Sequence, residues 1–191
     1  MTSKNRRRDQ RRQQKFKFMK LFPLGENALT ADFGSEISVE LNTEVLRLAA
    51  VFEQKTFPGF IEAVPAYASL TVFYDAFEVR RNFPEFTSAF DAVKDFVQKA
   101  LENLAEIPQT EPRAVEIPVS FEPECAPDLE FVAAHNNLTP EKVIEIFLAR
   151  QYRVFMLGFL PGFSYMGEVD ARIAAPRRRA TRVRVEKGSV G

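Results

Sequence analysis

The sequence predicts an α+β protein, and three observations carry that expectation. Hydrophobic spacing along the first hundred residues alternates between a period of about 2 and a period of about 3.6. The alternation follows the order strand, strand, helix, strand, strand, helix, which suits two helices over one face of a mainly antiparallel four-stranded sheet. The 191 residues, 46% hydrophobic and 27% charged, suffice to bury a core of ordinary composition.

Each element has a local reason. Phe16 and Phe18 alternate with Lys15 and Lys17, so a strand is expected over 16–22, and Pro23 and Gly25 mark a turn. Leu29, Ala31 and Phe33 alternate in a second strand, closed by Gly34. Ser38 caps a helix with an apolar stripe at Leu41, Val45, Leu48 and Phe52, widened by Leu46 and Ala49. Pro58-Gly59 ends it. Strands at Phe60–Val64 and Leu70–Tyr74, joined by Pro65-Ala66-Tyr67-Ala68, form a hairpin. A second amphipathic helix carries Phe90, Val93, Val97, Leu101 and Leu104, with Ser88 and Asp91 spaced as a capping box.

Between 106 and 114 the composition shifts to prolines and charges without periodicity, and a domain boundary is expected there. The expected organisation is a basic disordered tail at 1–15, an α+β domain at 16–105, a linker at 106–114 and a second domain at 115–191. That second domain opens on a strand, Ala114–Phe121. A short helix follows with Pro127 at its first position and Asp128 and Glu130 near its positive end. Asn136-Asn137 ends it. Thr139 caps the next helix, whose apolar face is Val143, Ile146 and Phe147. Tyr152–Phe159 reads as a strand, and Arg182–Val185 as a final short one.

Several function classes fall away. Net charge is zero, but residues 1–15 hold seven Lys or Arg against Asp9 alone, a surplus of six. The surplus carries no interleaved aromatic platform, so a solvating extension is the favoured reading and nucleic acid is not an expected partner. Cys125 stands alone, which forbids an internal disulfide and suits a reducing compartment, so the cytoplasm is expected. No apolar run reaches the roughly 20 residues of a membrane span. His135 sits at an expected helix end, no Cys/His cluster has metal spacing, and no Walker A or G-x-S-x-G motif occurs. No residue stands out as catalytic, and no metal is expected.

The informative stretch is 158–191. It begins "GFLPGFSYMG" and continues to "PRRRATRVRVEKGSVG". Gly158, Gly162 and Gly167 permit tight turns, Pro161 stiffens the loop, and Phe159, Phe163 and Tyr165 can wall a pocket. Arg177, Arg178, Arg179, Arg182 and Arg184 offer forked donors for carboxylate or phosphate. Arg182 and Arg184 alternate with Val183 and Val185, which would set them on one face of a strand. A solvated basic face beside a buried aromatic turn explains the composition equally well.

These residues, with "PLGENALTADFG", "VPAYASLTVFYD" and "APDLEFVAAHNNLTPEKVI", closely resemble the family of allophanate hydrolase subunit 1, sporulation-kinase inhibitor and the B subunit of 5-oxoprolinase, the carboxyltransferase-like domain with subdomains C and D. The resemblance covers nearly everything after the tail. It implies that the α+β domain is followed by a cyclophilin-like β-barrel, here incomplete and C-terminally truncated, because the family continues beyond GSVG. It implies the B subunit of an ATP-dependent 5-oxoprolinase, a hydrolase converting 5-oxo-L-proline to L-glutamate. The implied partners are a protein like the C subunit of 5-oxoprolinase and a lactam-hydrolase subunit, and the cofactor is ATP in the assembled complex. The alternatives are a regulatory inhibitor of a sensor histidine kinase, or allophanate hydrolase subunit 1 acting on a urea-derived amide. The residues expected to bind a small anionic substrate are Gly158, Phe159, Pro161, Gly162, Phe163, Tyr165, Arg177, Arg178 and Arg182. The family usually has His where Phe147 stands, Gly at Cys125, and Pro at Thr181 and Glu186.

Overall fold

The computed structural model describes residues 19–104, 107, 112–180 and 182–190. The expected tail at 1–15, Phe16 and Phe18 of the first strand, much of the 106–114 linker and Thr181 lie outside the described residues. The chain divides into two compact units: Met1–Ala114 with Val154–Gly167, and Val115–Arg153 with Glu168–Gly191.

The first unit carries the expected α+β layer. Strands β1 (Lys20–Pro23), β2 (Ala28–Asp32), β3 (Phe60–Pro65) and β4 (Ser69–Tyr74) form one antiparallel sheet in the order β1-β2-β4-β3. Register pairs Leu29 with Val72 and Ala31 with Leu70. Strand side chains alternate between faces, so these four share the buried face with Tyr74. Against them lie α1 (Val39–Gln54) and α3 (Ala89–Glu102). The Ser38 hydroxyl accepts from Leu41 N–H at 3.3 Å and starts α1. Ser88 starts α3, accepting from Asp91 N–H at 3.1 Å while its hydroxyl donates to the Asp91 carboxylate at 2.7 Å. Stacked and edge-on rings of Phe52, Phe57, Phe60, Phe83 and Phe96 fill the layer between helices and sheet.

The sequence pattern does not announce α2 (Ala76–Asn82), whose first turn is capped by the Asp75 carboxylate accepting from Phe77 and Glu78 N–H. Only Val79 of its seven residues is buried, so it has no stripe long enough to show a period. Leu46, expected to widen the stripe of α1, is exposed. The first unit also holds a two-stranded antiparallel sheet, β5 (Val154–Leu157) and β6 (Ser164–Met166).

In the second unit, α4 (Leu129–His135), α5 (Pro140–Leu148) and a 3-10 turn at Ala171–Ile173 surround a small core of Ala133, Val143, Ile146 and Ile173. The Thr139 hydroxyl caps α5 with Pro140 in its first turn, as the sequence predicts. Three expectations need correction. Helix α4 begins at Leu129 with Asp128 as its N-cap, so Pro127 lies outside it. Ala114–Phe121 forms no strand: Val115, Ile117 and Val119 are exposed, and Pro118 removes a ladder donor. Arg182–Val185 forms none either, because no partner strand lies beside it among the described residues and Val183 is fully exposed. A period-2 pattern makes a strand only when something covers one face and a neighbour completes the ladder.

Candidate functional site

In the first unit, the glycine-aromatic stretch is the connection of the β5–β6 hairpin. Its backbone makes two consecutive turns that share Leu160. Leu160 N–H donates to Gly158 O at 2.7 Å, which closes a three-residue γ-turn around Phe159. Phe159 has φ 64°, a left-handed conformation that is strained for an aromatic residue. Phe163 N–H then donates to Leu160 O at 3.0 Å around Pro161-Gly162, where Gly162 has φ 81°. Proline second and a left-handed glycine third is the signature of a type II turn. Gly158 N–H donates to Phe163 O at 3.2 Å and closes the loop.

This folding lines up the rings. Phe159 meets Phe163 edge-on at 5.7 Å, Phe163 meets Tyr165 at 4.9 Å, and Tyr165 meets Tyr67 at 6.4 Å. Tyr67 packs on Phe155 at 5.2 Å, and its hydroxyl donates to Met166 O at 3.0 Å. The outer end of the row is in solvent: Phe159 is 80% exposed.

One residue of α1 holds the inner end. Asn42 is fully buried, and its amide nitrogen lies 3.2 Å from Ala66 O, 3.1 Å from Phe155 O and 3.4 Å from Tyr67 O. A single side chain thus ties the β3–β4 connection to strand β5. Neither Asn42 nor Tyr67 is among the residues singled out from sequence. For Asn42 a signal exists, a polar residue in register with Val45, Ala49 and Phe52 on the apolar face of a helix.

The arginines belong to the second unit. Arg182 clasps the Asp128 carboxylate with both terminal nitrogens, at 2.6 Å and 2.7 Å. Arg178 donates to the same carboxylate and lies over the Phe131 ring at 5.4 Å. Hydrogen bonding from Arg182 is the largest cause holding the Asp128 carboxyl below its ordinary range, with Arg178 adding to it. Its oxygens face the guanidinium groups, and Asp128 makes no side-chain cap to α4. Sequence alone gives Asp128 only a helix-dipole role, since a partner fifty residues away leaves no local spacing to read.

The other expected anion binders are less engaged. Arg177 is exposed, and Arg184 pairs with Glu186 at 2.8 Å rather than joining Arg182. His135 stacks beside Phe131 at 6.1 Å, Cys125 is exposed, and no cluster suited to a metal occurs among the described residues. Phe147 meets Phe121 edge-on and lies tilted against Tyr152 at the edge of the small core, so its role there is packing. A shallow concavity of about 430 Å³ opens in the first unit against Phe22, Thr30, Asp32, Ile37, Tyr67 and Ser69. None of the residues expected to bind substrate lines it.

Known proteins are similar to this sequence. The profile of the carboxyltransferase domain, subdomain C and D, matches residues 19–191. A Bacillus subtilis (strain 168) protein, named as the B subunit of 5-oxoprolinase, is 47% identical over 88% of this chain and 70% of its own length. A protein of the same name from Escherichia coli O157:H7 is 34% identical over 88% of this chain and 72% of its own. Among solved structures, TTHA0988 superposes with a TM-score of 0.64 at 33% identity, covering 83% of this chain but only 28% of that one. No helix among the described residues is long and apolar enough to cross a membrane. A profile match over nearly the whole described chain, joined by relatives above 30% identity, shows that the chain belongs to the carboxyltransferase domain, subdomain C and D, family.

Proposed function

We propose that this chain is the B subunit of an ATP-dependent 5-oxoprolinase, which opens 5-oxo-L-proline to L-glutamate together with a partner like that enzyme's C subunit and a lactam-hydrolase subunit. The 47% identity to the Bacillus subtilis protein of that name, over 88% of the chain, carries the reading. The chemistry needs an activating step, because amide resonance makes a lactam carbonyl a poor electrophile. ATP in the assembled complex would supply it by phosphorylating the lactam oxygen. The chain offers forked anion donors, so its own proposed part is to hold substrate.

Within this reading Arg178 and Arg182, with Arg177 beside them in sequence, hold the substrate anion. Gly158, Phe159, Pro161, Gly162, Phe163 and Tyr165 supply a shaped apolar surface. The left-handed Phe159 supports that assignment, since backbone strain of this kind clusters at ligand-binding sites. A cyclophilin-like arrangement of the second half and a cytoplasmic location accompany the proposal.

The test is reconstitution with the two partner subunits and measurement of ATP-dependent glutamate release. Release that requires this chain supports the assignment. No release, under conditions where a set containing the Bacillus subtilis relative is active, overturns it.

A further inference from the structure

We propose that Asp128 is a built-in occupant of a carboxylate-binding site formed by Arg178 and Arg182, and that a ligand carboxylate binds there by displacing it. The inference rests on the reading that these arginines bind an anion, and it goes further by naming the ligand group and the competitor. Three features of the second unit support it. Arg182 presents its two terminal nitrogens side by side to the two oxygens of Asp128, at 2.6 Å and 2.7 Å. That parallel pairing is shaped for a planar carboxylate. Arg178 adds a third donor, and the Phe131 ring under its guanidinium holds it in place. The fork, the third donor and the aromatic platform are thus already assembled around a carboxylate.

The second argument concerns release. The side chains of Asp128, Arg178 and Arg182 are 37%, 49% and 41% exposed, so water reaches all three. An ion pair this open stays in contact with solvent, so a dissolved anion can reach the same donors. Asp128 also makes no side-chain cap to α4, so its carboxylate can leave the arginines without breaking the helix start. A carboxylate on a small ligand can then take the same three donors.

The experiment follows the arginine Nε–Hε resonances of the full chain during titration with 5-oxo-L-proline. Neutral 2-pyrrolidinone, which keeps the ring and lacks the carboxylate, and inorganic phosphate serve as comparison probes. The variants are Asp128→Asn, Arg182→Gln and Arg182→Lys, with dispersed amide spectra confirming that each folds. Asp128→Asn is expected to bind 5-oxo-L-proline roughly two- to five-fold more tightly, because the competing charge is gone. Arg182→Gln should lose binding, and Arg182→Lys should weaken it, since a lysine keeps the charge without the fork.

Unchanged or weaker binding by Asp128→Asn, with Arg182→Gln still losing it, overturns the displacement idea while leaving the anion site standing. Binding indifferent to Arg182 overturns both. Equal binding of 2-pyrrolidinone, or a clear preference for phosphate, overturns the choice of a carboxylate.

Discussion

Replacing Asn42 with alanine tests how the aromatic hairpin is held. The side chain is completely buried, and its two N–H donors are shared among the carbonyls of Ala66, Phe155 and Tyr67. Each buried carbonyl deprived of its donor costs about 1–3 kcal/mol, and two donors are lost at most. Two such losses and the space left by the amide together give an expected loss of about 2–6 kcal/mol. That is a large share of the roughly 5–15 kcal/mol of a typical domain. Urea denaturation followed by far-ultraviolet circular dichroism reads the global loss. Hydrogen exchange at the Gly158 and Phe163 amides reads the hairpin itself. If about 2 kcal/mol of the loss falls there, those amides should exchange roughly thirtyfold faster. Asn42→Asp sharpens the test, because an ionised carboxylate has no proton to donate to these carbonyls. Its folded pKa should lie above the unfolded value near 4, so the variant's deficit grows as pH rises through that range. Unchanged exchange at Gly158 and Phe163, alongside faster exchange in α1, would refute the claim that Asn42 secures the hairpin.

Three other perturbations address separate contacts. Tyr67→Phe keeps the ring stack and removes only the hydroxyl bond to Met166 O, so about 1 kcal/mol should be lost in the same urea titration. Gly162→Ala should cost about 1 kcal/mol from backbone strain alone, because φ is 81° and no atom lies within 4 Å of the added carbon. D-alanine at that position, introduced by semisynthesis, should cost almost nothing. The lowered pKa of Asp128 arises chiefly from its hydrogen bond to Arg182. Its stabilising contribution is therefore present above the ordinary carboxylate range near 4 and disappears as pH falls through the lower folded value. A carboxyl NMR titration should show that value rising toward 4 in Arg182→Gln.

The first unit's sheet and its two long helices are legible because each follows a single period and has a cap or breaker at its end. Ser38, Ser88 and Thr139 all cap helices as the sequence implies. The second half is less legible, because alternation at Ala114–Phe121 and Arg182–Val185 says nothing about whether a neighbouring strand exists. The turn chemistry of Leu160-Pro161-Gly162-Phe163 can be read locally, but the γ-turn at Phe159 cannot, since no residue preference announces a strained aromatic. Of the expected anion binders, Arg178 and Arg182 converge on one carboxylate that sequence spacing could not supply. The partners that matter most, Asn42 with Phe155 and Asp128 with Arg182, are separated by 113 and 54 residues. Such pairs are consequences of topology, not of local pattern.

The hairpin at Val154–Gly167 clusters with the first unit, while the chain on either side of it clusters with the second. The polypeptide therefore passes from one unit to the other at three points. No single scissile position frees either unit whole. A clone ending at Ala114 would strip Tyr67 and Asn42 of the backbone acceptors they grip in β5 and β6, and a clone starting at Val115 would carry a hairpin without its anchor. Modular swapping within such a protein has to exchange two segments together, which couples the inheritance of the signature loop to that of the sheet it rests on.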